Sequence, residues 1–191
     1  MLDLLADIDI KLFYLINHFH VFILDLLLPL FSKPDFIYIF YSITGSFLLL
    51  KYSIKKSLII YLFFIIGFLW VDFSCAKILK PYFQRKRPFV SINKVYYYSE
   101  GSFQILDRPL NKHTSYSFPS NHASNVGYAS SFLSFYFPKV SFLWILFALI
   151  VGWSRIYLGV HFPSDILAGY FYGFFWAFIF YQITKLPLRK W

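Results

Sequence analysis

Charged residues and cysteine are scarce in this chain. Only 14% of its 191 residues are Asp, Glu, Lys or Arg, whereas soluble globular proteins contain about 25%. A small soluble domain must cover a large surface with polar side chains. The composition therefore excludes a simple soluble enzyme and also a disordered protein. Cys75 is the single cysteine, which excludes a scaffold held together by internal disulfides.

Apolar side chains take the place of the missing charges. Hydrophobic residues make up 59% of the chain and aromatic residues 25%, and the mean hydropathy is +0.58, as expected for a chain that lies mostly in lipid. Eighteen basic residues against nine acidic ones give a net charge of +9. In a membrane protein this excess favours anionic lipid headgroups or a phosphate-bearing substrate as partners. We expect no nucleic-acid partner, because the segments between apolar stretches offer no known reading module.

Long stretches without charge predict helices that cross the membrane. A helix rises about 1.5 Å per residue and needs roughly 20 residues to cross the bilayer core, and it satisfies its own backbone in lipid. Shorter stretches suffice if a flanking charge extends back to the interface. The uncharged stretches are Phe36–Leu50, Ser57–Val71, His113–Pro138, Val140–Ser154 and Ile166–Thr184. We predict an all-α fold, a polytopic transmembrane bundle of five to six spans, as a single domain over residues 1–191.

The first 34 residues are ambiguous. Leu12–Phe31 is apolar enough to span but contains Asp25, and a carboxylate within a span is costly. We expect one or two interfacial amphipathic helices here, with a first span as the alternative. Met1–Ile10 carries acidic residues and no basic one, so no secretory signal is predicted.

Basic residues in the short connections predict the orientation. Successive crossings place three basic clusters on one side of the membrane, and the positive-inside rule makes that side cytoplasmic. These clusters are Lys51, Lys55 and Lys56; Lys139; and Lys185, Arg189 and Lys190. We expect the cell inner (cytoplasmic) membrane, with a long outer-face loop at residues 77–118 facing the periplasm or the exterior.

Three polar segments fall on that outer face by the parity of the crossings. They cover residues 80–88, 119–122 and 154–165. Lys80, Arg87 and Arg155 bring positive charge to this face, and the planar fork of Arg suits phosphate oxygens. Ser120 is a favourable helix N-cap and His122 lies in the first turn after it, where free N–H groups favour an anion. The segments together predict a site for a tetrahedral phosphate.

Two histidines supply the chemistry that this site needs. Asp165 follows His161 by four residues. If the loop turns into a helix between them, the carboxylate accepts from one ring nitrogen and leaves the other free as a nucleophile. His122 comes from a different helix and is suited to protonate a leaving oxygen. We interpret Arg85 and Lys86 as a plain positive flank, with a functional role as the alternative, and Asp72 as a structural ion-pair or hydrogen-bond partner.

The segments read K-x6-R-P, P-S-x-H and S-R-x5-H-x3-D. In this order they resemble the type 2 phosphatidic acid phosphatase superfamily of membrane-bound lipid phosphatases. The resemblance implies phosphate release through a phosphohistidine, without metal or cofactor. By position it implies His161 as nucleophile, Asp165 as its orienting partner and His122 as general acid. Phosphate would be held by Lys80, Arg87, Ser120, Asn121 and Arg155. Asn121 departs from the pattern, since the family usually has Gly there.

The substrate is less defined than the chemistry. The loop between the first two motifs carries side chains suited to stack on and bind a bulky headgroup: Lys94, Tyr96, Tyr97, Tyr98 and Arg108. Among family members this favours the 1-phosphate of lipid A, ahead of undecaprenyl pyrophosphate and phosphatidylglycerophosphate. A lipid phosphotransferase and a non-catalytic transporter are the rival functions. A metal site at His122, His161 and Asp165 is disfavoured, because the neighbouring cations would repel a metal ion. The oligomeric state is undefined.

Overall fold

The computed structural model describes residues 2–47, 51–111 and 116–188. Its helices are α1 (Leu2–Asn17), α2 (Phe22–Phe31), α3 (Pro34–Ser46), α4 (Ile54–Ser74), α5 (Asn121–Tyr136), α6 (Ser141–Tyr157) and α7 (Pro163–Leu188). A wide helical turn, Cys75–Leu79, and a last turn, Lys80–Phe83, continue α4. Short helical turns at Pro88–Val90 and Pro138–Val140 precede the outer hairpin and α6. The helical bundle predicted from the uncharged stretches is confirmed.

By length and apolar character alone, the described residues contain fewer candidate crossing helices than the five to six predicted spans. Within the described residues, three helical segments are long and apolar enough to cross: Ile54–Val90, Pro138–Tyr157 and Pro163–Leu186. The pair α1 and α2 makes a fourth if it counts as one span, although it is bent by 115°. All five predicted stretches fall on helices, but α3 and α5 have only 13 and 16 residues. Residues 48–50 and 113–115, parts of two predicted spans, lie outside the described residues, as do Arg189 and Lys190.

Helix α5 is the central helix of the bundle, which explains its polar sequence. It packs against α4, α6 and α7, and most of its residues are buried. It therefore needs no lipid-facing apolar surface. Gly173 of α7 lets the two helices approach, since a Cβ there would lie 2.3 Å from the carbonyl oxygen of Ser124. Small residues at such contacts are typical of helix pairs in membranes.

A β-hairpin occupies the outer-face loop, where only loop was predicted. Strand β1 (Val95–Ser99) pairs antiparallel with β2 (Ser102–Leu106). Glu100 and Gly101 both have positive φ, 53° and 86°, as in the tight turn that suits a two-residue hairpin. The Val-Tyr-Tyr-Tyr run has high strand propensity, so the signal was present in the sequence.

The hairpin is attached to the helices by backbone contacts. The Tyr98 N–H donates to the Leu158 carbonyl at 3.2 Å, and the Asn17 side chain bonds both backbone groups of Tyr96, at 2.8 and 2.9 Å. Gly159 has a φ of +75°, and a Cβ there would lie 2.4 Å from the Tyr96 carbonyl oxygen. Glycine at 159 therefore permits the close contact between the hairpin and the loop that carries His161.

Helices α1 and α2 form the bent N-terminal pair. Asp25 of α2, the residue that made a span costly, accepts hydrogen bonds from the His20 Nδ1 at 2.6 Å and the Tyr157 hydroxyl at 2.5 Å. Helix α1 packs on α6 and α7 and buries Asp9. The N-terminal segment thus reaches the end of the bundle that holds the polar motifs.

Candidate active site

The three polar segments meet at one end of the bundle, where α4 and α6 end and α5 and α7 begin. The Ser120 N–H donates to the Asp165 carbonyl at 3.0 Å, which joins the starts of α5 and α7. The Ser117 N–H donates to the Arg85 carbonyl at 2.8 Å, which joins the first segment to the second. Residues that are far apart in the sequence therefore form one site.

His161 and Asp165 lie side by side at the start of α7. The Nδ1 of His161 is 3.4 Å from the Asp165 Oδ2, which also accepts from the Phe162 N–H at 2.8 Å. The Nε2 of His161 is 3.4 Å from the Arg87 Nη1. Both acid and imidazole are buried, at 0% and 2% exposure. The carboxylate orients the ring through Nδ1, and Nε2 is directed towards the cationic groups.

Burial sets the protonation of His161. Loss of hydration lowers the pKa of His161 well below its ordinary value, and the positive charges of Arg87, Arg155 and Lys80 lower it further. The imidazole is therefore uncharged at neutral pH. An uncharged ring has the lone pair that a nucleophile needs.

Three cations surround this imidazole. Arg155 lies within electrostatic range of both His161 and Arg87, and its buried Nε has no hydrogen-bond partner among the described residues. Lys80 is buried and donates to the Tyr116 carbonyl at 2.6 Å and the Ser117 carbonyl at 3.3 Å. Arg87 donates to the Val160 carbonyl at 3.2 Å. Close positive charges with an unpaired buried donor suit a bound anion.

His122 faces the same site from the first turn of α5. Ser120 caps that helix by accepting from the Ala123 N–H at 3.4 Å. The His122 Nε2 donates to the Ser32 carbonyl at 3.1 Å, which leaves Nδ1 for another partner. His122 lies within electrostatic range of Arg155 and His161. The two imidazoles thus belong to one site but come from different helices.

The side chain of Asn121 does not turn towards the cations. Its Nδ2 donates to the Asp72 Oδ1 at 3.0 Å, because the carboxyl group of α4 lies beside the start of α5. The Asn121 side chain is thus bonded to Asp72 in this structure, and its predicted phosphate contact stays a prediction. The backbone N–H of Asn121, in the first turn of α5, still has no acceptor within its own helix.

The five predicted headgroup residues are divided by the hairpin. Neighbouring residues of a strand point to opposite faces. Tyr97 lies within electrostatic range of Arg87 and Arg155. On the other face of β1, Tyr96 stacks on His20 and Tyr98 lies against Phe103. Lys94 and Arg108 are exposed. Of the five, Tyr97 is the residue that the structure brings to the cations.

Arg85 has a larger role than the plain positive flank predicted for it, and no role was predicted for Asp9. The Arg85 guanidinium donates to the Asp165 Oδ1 at 2.7 Å and to the Asp9 Oδ2 at 2.6 Å. Asp9 also accepts from the Ser164 N–H at 2.8 Å. Arg85 therefore orients the carboxylate that orients His161, and Asp9 orients Arg85. No local motif connects residue 9 with residue 165; the exposed Lys86 does fit a flank.

Loss of the Asp9 carboxylate is expected to weaken catalysis without removing a catalytic group. In Asp9→Asn one charge partner of Arg85 is lost, and we expect kcat to fall roughly tenfold to a hundredfold, as for other outer partners of reacting residues. KM should change little. Asp7→Asn on the exposed face of the same helix is the matched control. Equal kcat values for the two variants would show that Asp9 has no positioning role.

The geometry of a metal site is absent from the described residues. No three side chains of His, Cys, Asp or Glu in this part of the chain lie together as a set of metal ligands. That includes His122, His161 and Asp165, the set weighed as an alternative.

Comparisons with known proteins agree in family and fold. A sequence profile described as PAP2 superfamily matches residues 57–188. An undecaprenyl-diphosphatase of Sulfolobus acidocaldarius is 31% identical over 95% of this chain and 82% of its own length. A lipid A 4'-phosphatase of Bacteroides thetaiotaomicron is 28% identical over 99% of this chain and 83% of its own. The crystal structure of a transmembrane PAP2 type phosphatidylglycerolphosphate phosphatase from Bacillus subtilis has a TM-score of 0.65 at 22% identity, covering 95% of this chain and 86% of that one.

Proposed function

Given that this chain belongs to the PAP2 superfamily and is a multi-pass membrane phosphatase, we propose that it removes phosphate from a lipid headgroup through a phosphohistidine on His161. The observation that carries this proposal is the buried imidazole of His161, held by Asp165 and turned towards Arg87. An imidazole in this setting has a free electron pair facing the place where an anion is attracted.

The reaction takes place in two steps. In the first, the Nε2 of His161 attacks phosphorus and the bond to the leaving oxygen breaks, while His122, which carries a proton on Nδ1 once the anionic phosphate is bound, donates that proton to the leaving oxygen. In the second, His122 takes a proton from water, the water oxygen attacks phosphorus, and the N–P bond breaks to release inorganic phosphate. Asp165 stabilises the positive charge that develops on the His161 ring.

Positive charge stabilises the transition state. Arg87, Arg155 and Lys80 face the equatorial oxygens of the transferring phosphoryl group, where charge concentrates. The N–H groups in the first turn of α5 that have no acceptor within the helix add to this field. The same cations disfavour a metal ion, so we propose a reaction that needs no metal.

The substrate that we propose first is the 1-phosphate of lipid A. A bulky headgroup suits the hairpin, where Tyr97 and Phe89 stack with ring centres 4.4 Å apart. A Rhizobium johnstonii relative, 30% identical over 72% of this chain, is named lipid A 1-phosphatase. Undecaprenyl pyrophosphate is the second candidate, because the relative at 31% identity is named undecaprenyl-diphosphatase. The site faces the periplasm or exterior of the inner membrane in this proposal, since Lys51, Lys139 and Lys185 lie at the opposite end of the helices.

Removing the Tyr97 hydroxyl tests whether the β1–β2 hairpin contacts the substrate headgroup. Tyr97→Phe keeps the stacked ring but removes the group near Arg87 and Arg155, and we expect kcat/KM on the preferred lipid to fall about tenfold. Tyr98→Phe, on the opposite face of β1, should change it little. Similar values for both variants would mean that the hairpin does not contact the substrate.

A substrate panel tests the proposed function as a whole. Purified protein in detergent is assayed for phosphate release from lipid A 1-phosphate, phosphatidylglycerophosphate, phosphatidic acid and undecaprenyl pyrophosphate, with a chelator present. We expect release from at least one lipid and full activity with the chelator. Activity abolished by the chelator would contradict the metal-free step. Labelled phosphate appearing on an acceptor lipid would reveal a phosphotransferase, and no release at all would favour a transporter.

A further inference from the structure

A small cavity lies beside His122. It measures about 210 Å³ and opens between α3, α4 and α5. Asp72, Asn121, His122 and Asn125 line its polar part, and Tyr38 and Phe68 its apolar part. At roughly 30 Å³ per water molecule in the liquid, a volume of this size suits a glycerol unit or part of a sugar ring.

The Asp72 carboxylate is the acceptor at the polar part of the cavity. Its Oδ1 accepts from the Asn121 Nδ2 at 3.0 Å and from the Asn125 Nδ2 at 2.7 Å. The Oδ1 atoms of Asn121 and Asn125 are buried and have no partner among the described residues, and Asn125 is only 8% exposed.

Buried unpaired oxygens indicate a missing donor. A buried amide oxygen without a hydrogen bond is unfavourable for folding. A purely structural role for the cluster explains why both amides donate to Asp72. It does not explain why the oxygens of two residues that line the cavity remain unpaired.

The cavity adjoins the place where the leaving group departs. His122 is the proposed donor to the leaving oxygen, and it also lines the cavity. The alcohol that carries that oxygen must therefore lie next to the cavity in the reacting complex. This argument rests on the proposed function, because it uses the role of His122.

We propose that this cavity, the leaving-group pocket, binds hydroxyl or N–H donors on the alcohol from which phosphate is removed. The preferred substrate is then a phosphomonoester whose alcohol bears such donors beside the ester oxygen, as a glycerol or an acylated amino sugar does. A prenyl diphosphate fits poorly. The leaving group of a prenyl diphosphate is a phosphate anion, which the Asp72 carboxylate at the cavity would repel.

The apolar part of the pocket faces the bilayer. The rings of Tyr38 and Phe68 lie edge to face, with centres 6.0 Å apart, and Tyr38 is 50% exposed at the outer surface of α3. A lipid whose polar alcohol occupies the Asp72 end therefore has a direct route for its chains into the membrane.

Three substrates in detergent micelles test the pocket. Phosphatidylglycerophosphate carries a hydroxyl beside the ester oxygen, phosphatidic acid carries none, and farnesyl diphosphate has an anionic leaving group. We expect the wild-type kcat/KM for phosphatidylglycerophosphate to exceed the values for phosphatidic acid and farnesyl diphosphate by about tenfold or more. Sites built to bind a hydroxyl discriminate against analogues that lack it. Asn125→Leu should lower kcat/KM for phosphatidylglycerophosphate and bring it close to the value for phosphatidic acid. Asp72→Asn should raise the rate on farnesyl diphosphate relative to phosphatidic acid.

The ratios between substrates keep the test independent of folding, because a loss of folded protein lowers all three rates together. Asp35→Asn, the same chemical change at an exposed position of α3, should leave every ratio unchanged. Equal wild-type rates on the three substrates, or ratios unchanged in both pocket variants, would overturn the proposal. No release from any substrate by the wild type would instead mean that the proposed function is wrong.

Discussion

Replacing His161 with alanine is expected to reduce phosphate release by roughly four to six orders of magnitude. The variant lacks the atom that forms the covalent intermediate, and losses of this size follow removal of a nucleophile in other enzymes with covalent mechanisms. Neither water nor His122 replaces it, since Asp165 is positioned to orient only the ring at 161. The measurement is initial phosphate release from the preferred lipid in detergent, followed long enough to detect the residual rate.

His18→Ala is the matched control for this change. His18 is exposed and its Nε2 is bonded to the Lys94 carbonyl at the hairpin, so its loss removes an imidazole of the same face without touching the site. We expect nearly full activity. A His161→Ala protein with more than about a hundredth of wild-type activity would exclude covalent catalysis at this position.

Arg155→Lys is expected to lower kcat/KM by about a hundredfold to a thousandfold, although the charge is retained. The guanidinium presents a planar fork of donors to phosphate oxygens, and an ammonium does not reproduce it. Loss of a single preorganised donor to transition-state charge typically costs this much. Kinetics on the preferred lipid, with inorganic phosphate as competitor, give both the rate and the affinity for the anion.

The same variant should not unfold more easily. The buried Arg155 Nε has no partner and the neighbouring charges are positive, so the arginine is unfavourable for folding and favourable for function. We expect a thermal unfolding temperature in detergent equal to or above that of the wild type. A lower unfolding temperature together with a proportional loss of activity would assign Arg155 a structural role instead.

The motifs and the parity of the crossings were sufficient to predict the end of the bundle at which the polar segments meet. A lipid-exposed helix must be apolar along its length, so uncharged stretches identify it directly. Spacing alone also predicted the contact between His161 and Asp165, since a loop that turns into a helix brings residues four apart together. These predictions rest on local constraints.

The remaining features depend on contacts between distant residues. Asp9 and Arg85 meet only because α1 packs on α6 and α7, and Asp72 reaches Asn121 only because α4 lies beside α5. The sequence did not show that α5 is the central helix of the bundle. Its polar residues are covered by other helices and not by lipid. The hairpin at Val95–Leu106 was overlooked although its tyrosines and Glu-Gly turn are a recognisable strand pattern.

Trapping the intermediate tests the phosphohistidine mechanism most directly. Enzyme mixed with a lipid carrying radiolabelled phosphate is quenched in alkali within milliseconds, digested, and its labelled peptide identified by mass spectrometry. The mechanism predicts label on the peptide containing His161, on a nitrogen, lost on mild acid treatment and absent from His161→Ala. Label on His122, or full turnover with no labelled protein at any quench time, would contradict it.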